Sequence, residues 1–126
     1  MEDKRLEATA RLLEVMNTLR RECPWDREQT FDSLRSNTIE ETYELADAIT
    51  DHNMEGIKEE LGDLLFSAVN VSRFVKVDTE EALNGATDKF IGRFRKVEEE
   101  AARQGRALEG MSLAELDKLW EHAKET

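Results

Sequence analysis

Acidic side chains concentrate in one part of the sequence, residues 39–63. This segment holds nine acidic residues and one basic residue, Lys58, so it carries a formal charge of −8. Its most suggestive members form a Glu-Glu-x-x-Glu motif and a Glu-x-x-Asp pair, contributed by Glu40, Glu41, Glu44, Glu60 and Asp63. Spacings of three or four residues bring carboxylates onto a shared helix face. If two such helices pack antiparallel, pairs of carboxylates converge, which predicts a cation site.

Carboxylates three residues apart also arise on ordinary solvated helices, and either Glu40 or Glu41 could share a face with Glu44. The setting of Asp63 argues against surface charge, because the segment Leu61–Phe66 is otherwise apolar and predicts burial. A buried, unpaired carboxylate is costly. Four carboxylates in one pocket could not all stay ionised without a cation, so Asp63 favours the metal site.

The predicted ligands offer only oxygen atoms, and oxygen ligands favour a hard ion such as Mg²⁺, for which Mn²⁺ is a substitute. The matching chemistry is attack of an activated water on a phosphoanhydride. The candidate metal ligands are Glu44, Glu60 and Asp63, together with Glu41 or Glu40. Glu40 and Glu41 are the catalytic candidates, with Glu40 orienting the water.

A phosphate substrate also needs cations, and the stretch 89–97 is basic without an acidic residue. At about 100° per residue, Lys89 and Arg93 lie beside the apolar stripe of their predicted helix and could reach a phosphate. The alternative is pairing with acids such as Glu100. In the loop before the acidic motif, Trp25 could stack on a base whose edge Asp26 reads, although a loop tryptophan is more often a core residue.

Hydrophobic periodicity places these residues on helices. Apolar residues recur every three or four positions in five segments, with no strand signal. We predict an all-α bundle of about four main helices plus a short C-terminal helix. The expected ranges are 3–21, 36–49 after a short turn at 31–34, a segment ending near 74, 78–105 and 112–123. The third helix is apolar nearly all round and is expected to be central.

The composition favours one domain over residues 1–126, with one proline and six glycines, as helical proteins require. Only 6% of residues are aromatic, so the core is thin and a homodimer would bury more surface. The net charge of −11 disfavours nucleic-acid polymers and anionic membranes. A single cysteine, Cys23, and an amino terminus without an apolar signal favour a reducing, cytoplasmic setting.

Several segments together resemble the MazG-type nucleoside triphosphate pyrophosphohydrolases. The loop Cys23–Phe31 is similar to the family's characteristic loop. Glu40–Glu44, followed after fifteen residues by Glu60–Asp63, matches its Glu-Glu-x-x-Glu and Glu-x-x-Asp signature. Lys89–Phe94 and Leu119-Trp120 also resemble family segments, so the resemblance covers nearly the whole chain. Many members carry two such domains in tandem, and this chain resembles a single-domain form that is either natural or shortened or engineered.

The resemblance implies an all-helical dimer that binds Mg²⁺ through Glu41, Glu44, Glu60 and Asp63. It also implies hydrolysis of nucleoside triphosphates to the monophosphate and pyrophosphate. A related all-helical deoxypyrimidine-nucleotide or phosphoribosyl-ATP pyrophosphohydrolase is the alternative within the enzyme class. A non-catalytic acidic interaction module leaves Asp63 unexplained, and a di-iron bundle would need Glu-x-x-His pairs that this chain lacks.

Overall fold

The structure is a computed structural model that describes residues 3–22 and 28–125. The described residues form helices and contain no strand, which confirms the predicted all-α class. The main helices are α1 (Lys4–Glu22), α2 (Phe31–Thr50), α3 (Met54–Phe74), α4 (Thr79–Arg103) and α5 (Leu113–Glu125). A 3₁₀ turn, Leu108–Gly110, lies between α4 and α5. None of the described helices is both long and apolar enough to cross a bilayer.

The chain divides into two compact units, Met1–Thr79 and Glu80–Thr126. In the first unit, α2 and α3 form an antiparallel hairpin, and α1 packs against α3. The ring of Phe31, at the start of α2, meets that of Phe74, at the end of α3, edge-on at 5.5 Å. Met16 of α1 is 2% exposed and anchors that helix in the core. This unit carries all of the acidic residues predicted to bind metal.

The turn between α2 and α3 is short because one residue ends the first helix and the next begins the second. His52 adopts φ 53°, and the N–H of Asn53 donates to the carbonyl of Ala48 at 3.1 Å, which closes α2 in a Schellman arrangement. Asn53 then caps α3 by accepting from the N–H of Gly56 at 3.1 Å. A Cβ at Gly56 would lie 2.6 Å from the Asn53 amide nitrogen, so glycine permits this cap.

Helix α2 begins earlier than predicted. The expected short turn at 31–34 and the helix from 36 are one continuous helix that starts at Phe31. The reason is a reciprocal cap: the Thr30 hydroxyl accepts from the N–H of Ser33 at 3.1 Å, and the Ser33 hydroxyl accepts from the N–H of Thr30 at 2.8 Å. The cap nucleates the helix ahead of its first regular apolar spacing.

Helix α3 is central to the first unit, as predicted, because both α1 and α2 pack against it, but it is not buried all round. Leu61 and Leu65 are 46% and 55% exposed, and Ser67 is the residue of α3 that is buried. The contacts with α1 and α2 leave part of the apolar surface of α3 uncovered. An apolar circumference therefore did not translate into burial.

The second unit has its own small core, formed by Val97, Ala101, Met111, Leu119 and Ala123. Gly105, at φ 67°, ends α4 as predicted, and the N–H of Arg106 donates to the carbonyl of Ala101 at 3.0 Å. A capping box begins α5, because Ser112 and Glu115 exchange backbone-to-side-chain hydrogen bonds at 3.1 and 3.2 Å. Arg106 forms an ion pair with Glu115 that holds this cap.

Candidate metal centre

Three of the predicted ligands converge where α2 and α3 face each other. Glu41 comes from α2, and Glu60 and Asp63 come from α3, three residues apart on one face. One carboxylate oxygen from each lies within 4.8 Å of the other two. Glu41 and Glu60 are half-buried, whereas Asp63 is exposed. The hairpin therefore gathers three oxygen donors at one point, with one side open to solvent.

Two carboxylate oxygens of these residues, Glu41 Oε2 and Glu60 Oε2, are shielded from solvent and have no hydrogen-bond partner. A shielded carboxylate oxygen without a donor is costly, and hydrogen bonding normally satisfies such atoms. Both residues belong to the convergent set, where a cation would offset the cost of shielding their carboxylates.

The pKa values of both glutamates are raised, which reflects the same crowding. For Glu41, burial is the largest cause of the raised pKa, followed by the charges of Glu44, Asp63 and Glu40. For Glu60, burial again comes first, and a hydrogen-bonding contact with Glu44 raises the pKa further. Protons relieve this repulsion at low pH, and a divalent cation would relieve it at neutral pH.

Glu44 and Glu40 border the cluster. Glu44 is exposed and lies close enough to both Glu41 and Glu60 to act on their pKa values through hydrogen bonding. Glu40 is exposed, and its charge contributes to the raised pKa of Glu41. The sequence left open whether Glu40 or Glu41 shares a helix face with Glu44. In the structure, Glu41 lies within the cluster and Glu40 lies beside it.

The donor set fits a hard divalent ion. All the convergent atoms are carboxylate oxygens, and Mg²⁺ and Mn²⁺ prefer oxygen ligands with open positions for water and phosphate. The exposed side at Asp63 provides that opening. The predicted burial of Asp63 was wrong, because its side chain is exposed. The shielded carboxylates are those of its neighbours Glu41 and Glu60.

A family model for the MazG nucleotide pyrophosphohydrolase domain matches residues 29–98. The chain belongs to this family. The matched stretch spans more than half of the chain and contains all five acidic residues of the site, as well as Lys89 and Arg93.

Individual relatives agree with this assignment. The chain is 49% identical over 85 residues to the nucleoside triphosphate pyrophosphohydrolase/pyrophosphatase MazG of Thermotoga maritima, covering 68% of this chain and 32% of that protein. It is 38% identical over 112 residues to the nucleoside triphosphate pyrophosphohydrolase of Mycobacterium tuberculosis, covering 87% of this chain and 33% of that protein. The chain thus spans about a third of the length of these two relatives.

A solved structure shares the fold. The crystal structure of a mazG-related protein from Thermotoga maritima superposes with a TM-score of 0.68 at 27% sequence identity. The match covers 93% of this chain and 99% of that one. The helical arrangement is therefore that of a MazG-related protein.

The structure describes two of the four predicted substrate-binding residues. Lys89 and Arg93 lie on α4 in the second unit, Lys89 exposed and Arg93 half-buried. The acid named as a possible partner, Glu100, instead pairs with Arg103 at 3.2 Å. Trp25 and Asp26 lie outside the described residues, so their role stays a prediction.

Trp120, in the second of the C-terminal segments that resemble the family, is half-buried against the core of the second unit. Its ring lies 5.5 Å from that of Phe90, so Trp120 is a packing residue of this unit.

Sequence reasoning missed a polar pair next to the acidic cluster. Asn37 Nδ2 donates to Ser67 Oγ across the α2–α3 interface at 3.4 Å. A signal was present, because Asn37 stands four residues before Glu41 and Ser67 four residues after Asp63. In an antiparallel hairpin, these spacings bring Asn37 and Ser67 together one helical turn from the cluster.

Proposed function

We propose that this chain hydrolyses nucleoside triphosphates at the α–β phosphoanhydride, releasing a monophosphate and pyrophosphate. The cofactor is Mg²⁺, bound by Glu41, Glu44, Glu60 and Asp63. The observation that supports this most is the pair of shielded, unpartnered oxygens on Glu41 and Glu60 within a three-carboxylate cluster. Family membership and the names of the relatives indicate the substrate class.

The reaction adds a water oxygen to phosphorus while the bridging oxygen leaves with pyrophosphate. When bound, Mg²⁺ neutralises the phosphate oxygens and the developing charge. Glu40 lies beside the cluster and is exposed, so its carboxylate is free to orient the attacking water and accept its proton. Glu41 would act with it by holding the cation together with Glu60 and Asp63.

Four further residues are proposed to bind the substrate. Lys89 and Arg93 bind the phosphates as charged donors, which suits their place in the basic stretch of α4. Trp25 and Asp26 contact the base. These four assignments rest on the residue types and on the resemblance of their segments to the family.

The proposed assembly is a homodimer or higher homo-oligomer. Helices α2 and α3 each carry exposed apolar side chains at helical spacing: Ile39 and Tyr43, then Leu61 and Leu65. Patches of exposed apolar side chains are typical of association surfaces. A second copy would add the burial that a thin core lacks. Sedimentation should show a dimer that Leu65→Glu weakens, with Leu113→Glu, at an exposed leucine of α5, as the control.

Turnover of a nucleoside triphosphate panel with Mg²⁺ tests the proposed function. We expect Glu41→Gln and Asp63→Asn to lower kcat/KM by more than about 100-fold, because outer-shell partners of a metal site already cost 10- to 100-fold. Glu55→Gln, at an exposed glutamate of α3, is the charge-matched control and should retain activity. Undiminished turnover in both site variants would contradict the assignment. The interaction-module alternative expects no turnover in any of the four proteins.

A further inference from the structure

A buried serine interrupts the apolar interface of the α2–α3 hairpin. Ser67 is 7% exposed and is the buried polar residue among those that the structure describes. Its hydroxyl faces the half-buried amide of Asn37. Hydrophobic residues would pack more favourably at such a position unless the polar groups were needed.

The pair lies in register with the metal centre. Asn37 precedes Glu41 by four residues on α2, and Ser67 follows Asp63 by four on α3. Residues four apart lie on one helix face, separated along the axis by roughly one turn of 5.4 Å. A polar seam therefore runs from the carboxylates to Asn37 and Ser67.

The seam extends in one direction only. On the other side of the carboxylates, Leu45 lies one turn from Glu41 on α2 and is half-buried, and Ala48 lies two turns from Glu41 and is buried. On α3, Ile57 lies one turn before Glu60 and is also half-buried. A ligand that leads away from the metal centre along the hairpin therefore meets an uncharged amide towards Asn37, whereas the other direction offers the carboxylate of Glu44 and apolar side chains.

The two side chains do not satisfy each other fully. Their contact of 3.4 Å is longer than the usual 2.7–3.2 Å of an N–H···O bond. Within the described residues, this is the hydrogen bond that the Asn37 side chain makes. An amide offers two donor hydrogens and an acceptor oxygen, so Asn37 keeps capacity for a further partner that can both donate and accept.

We propose that Asn37 hydrogen-bonds a sugar hydroxyl of the bound nucleotide and that Ser67 is the positioning residue that orients its amide. The inference rests on the proposed function, which places the phosphates at the carboxylates. The sugar attached to the α-phosphate then falls about one helical turn away, and a hydroxyl is the donor and acceptor that the amide can pair with. Asn37 thus makes the site sensitive to the sugar of its substrate.

The test crosses protein variants with substrate variants. Wild type, Asn37→Ala and Ser67→Ala are compared on the ribo-, 2′-deoxy- and 2′,3′-dideoxy- forms of one nucleoside triphosphate. Turnover is followed by pyrophosphate release, and Mg²⁺-dependent binding of the α,β-methylene analogues by calorimetry. The control is Thr42→Ala, an exposed residue of α2 whose hydroxyl bonds its own helix at the Thr38 carbonyl.

In the wild type, removing the contacted hydroxyl should lower kcat/KM and affinity by about 2- to 12-fold, the range of one neutral hydrogen bond. Asn37→Ala should lose this discrimination. Ser67→Ala should reduce it, and Thr42→Ala should retain it. An Asn37→Ala effect that is equal for all three sugars would overturn the proposal, as would no effect. If the wild type releases no pyrophosphate, the proposed function fails, while the calorimetric comparison still decides the sugar contact.

Discussion

Replacing Glu60 by glutamine tests whether the acidic cluster exists to bind a cation. The pKa of Glu60 is raised by burial, by its contact with Glu44 and by neighbouring charges. A carboxyl whose folded pKa exceeds its unfolded value favours the folded state below the unfolded pKa, and that contribution is lost as the pH rises through the folded pKa. Without Mg²⁺ at pH 7.5, Glu60→Gln should therefore be more stable than the wild type.

Added Mg²⁺ should reverse this order. A ligand that binds only the folded state stabilises it by about 2.7 kcal/mol when present at about 100 times its dissociation constant. For a chain of 126 residues this corresponds to a rise in Tm of about 10 °C. The variant has lost one of three convergent ligands, including one of the two shielded, unpartnered oxygens, so its Tm should rise much less.

The assay is thermal unfolding by circular dichroism, with and without Mg²⁺, for the wild type, Glu60→Gln and the control Glu55→Gln. Glu55 is an exposed glutamate of the same helix that stands outside the cluster. An equal Mg²⁺-induced rise in the Tm of Glu60→Gln and of the wild type would refute the reasoning. So would a variant that is less stable than the wild type at pH 7.5 without the ion.

Three further predictions concern stability. Met16→Ala should lower the free energy of unfolding by about 2–5 kcal/mol in a denaturant titration, because Met16 is 2% exposed; a loss below about 1 kcal/mol would contradict its core role. His52→Gly should raise it by up to about 1 kcal/mol by relieving φ 53°, and a loss would show that the side chain holds the turn. Arg106 and the Ser112 cap lower the pKa of Glu115 to about 2. The ionised carboxylate of Glu115 therefore stabilises the folded state above its ordinary pKa of 4.5, and this stabilisation is lost as the pH falls towards 2. Glu115→Gln should consequently flatten the acid limb of the stability profile, and an unchanged limb would count against the ion pair.

Features controlled by neighbours in sequence could be predicted. The stop at Gly105 needs only a residue that tolerates positive φ, and the cap between Ser112 and Glu115 spans three residues. The convergence of Glu41 with Glu60 followed from helical spacing and a short turn. Each depends on distances that one or two helical turns determine.

Features controlled by packing could not be predicted from the sequence. The exposure of Leu61 and Leu65 depends on which faces of α3 the other helices cover, and an apolar circumference does not encode that choice. The exposure of Asp63 likewise depends on which faces of α3 the other helices cover. The contact between Asn37 and Ser67 crosses thirty residues of sequence, and its one signal, the four-residue spacing of each from the acidic motifs, has meaning only once the two helices are known to pack as a hairpin.

Identification of the products of wild-type hydrolysis tests the central claim most directly. Each nucleoside triphosphate is incubated with the protein and Mg²⁺, and the phosphorus products are separated and identified by ³¹P NMR. Cleavage at the α–β anhydride predicts monophosphate and pyrophosphate in equal amounts, and no product when the ion is chelated. Release of orthophosphate with the diphosphate, or cleavage that persists without a divalent ion, would contradict the account.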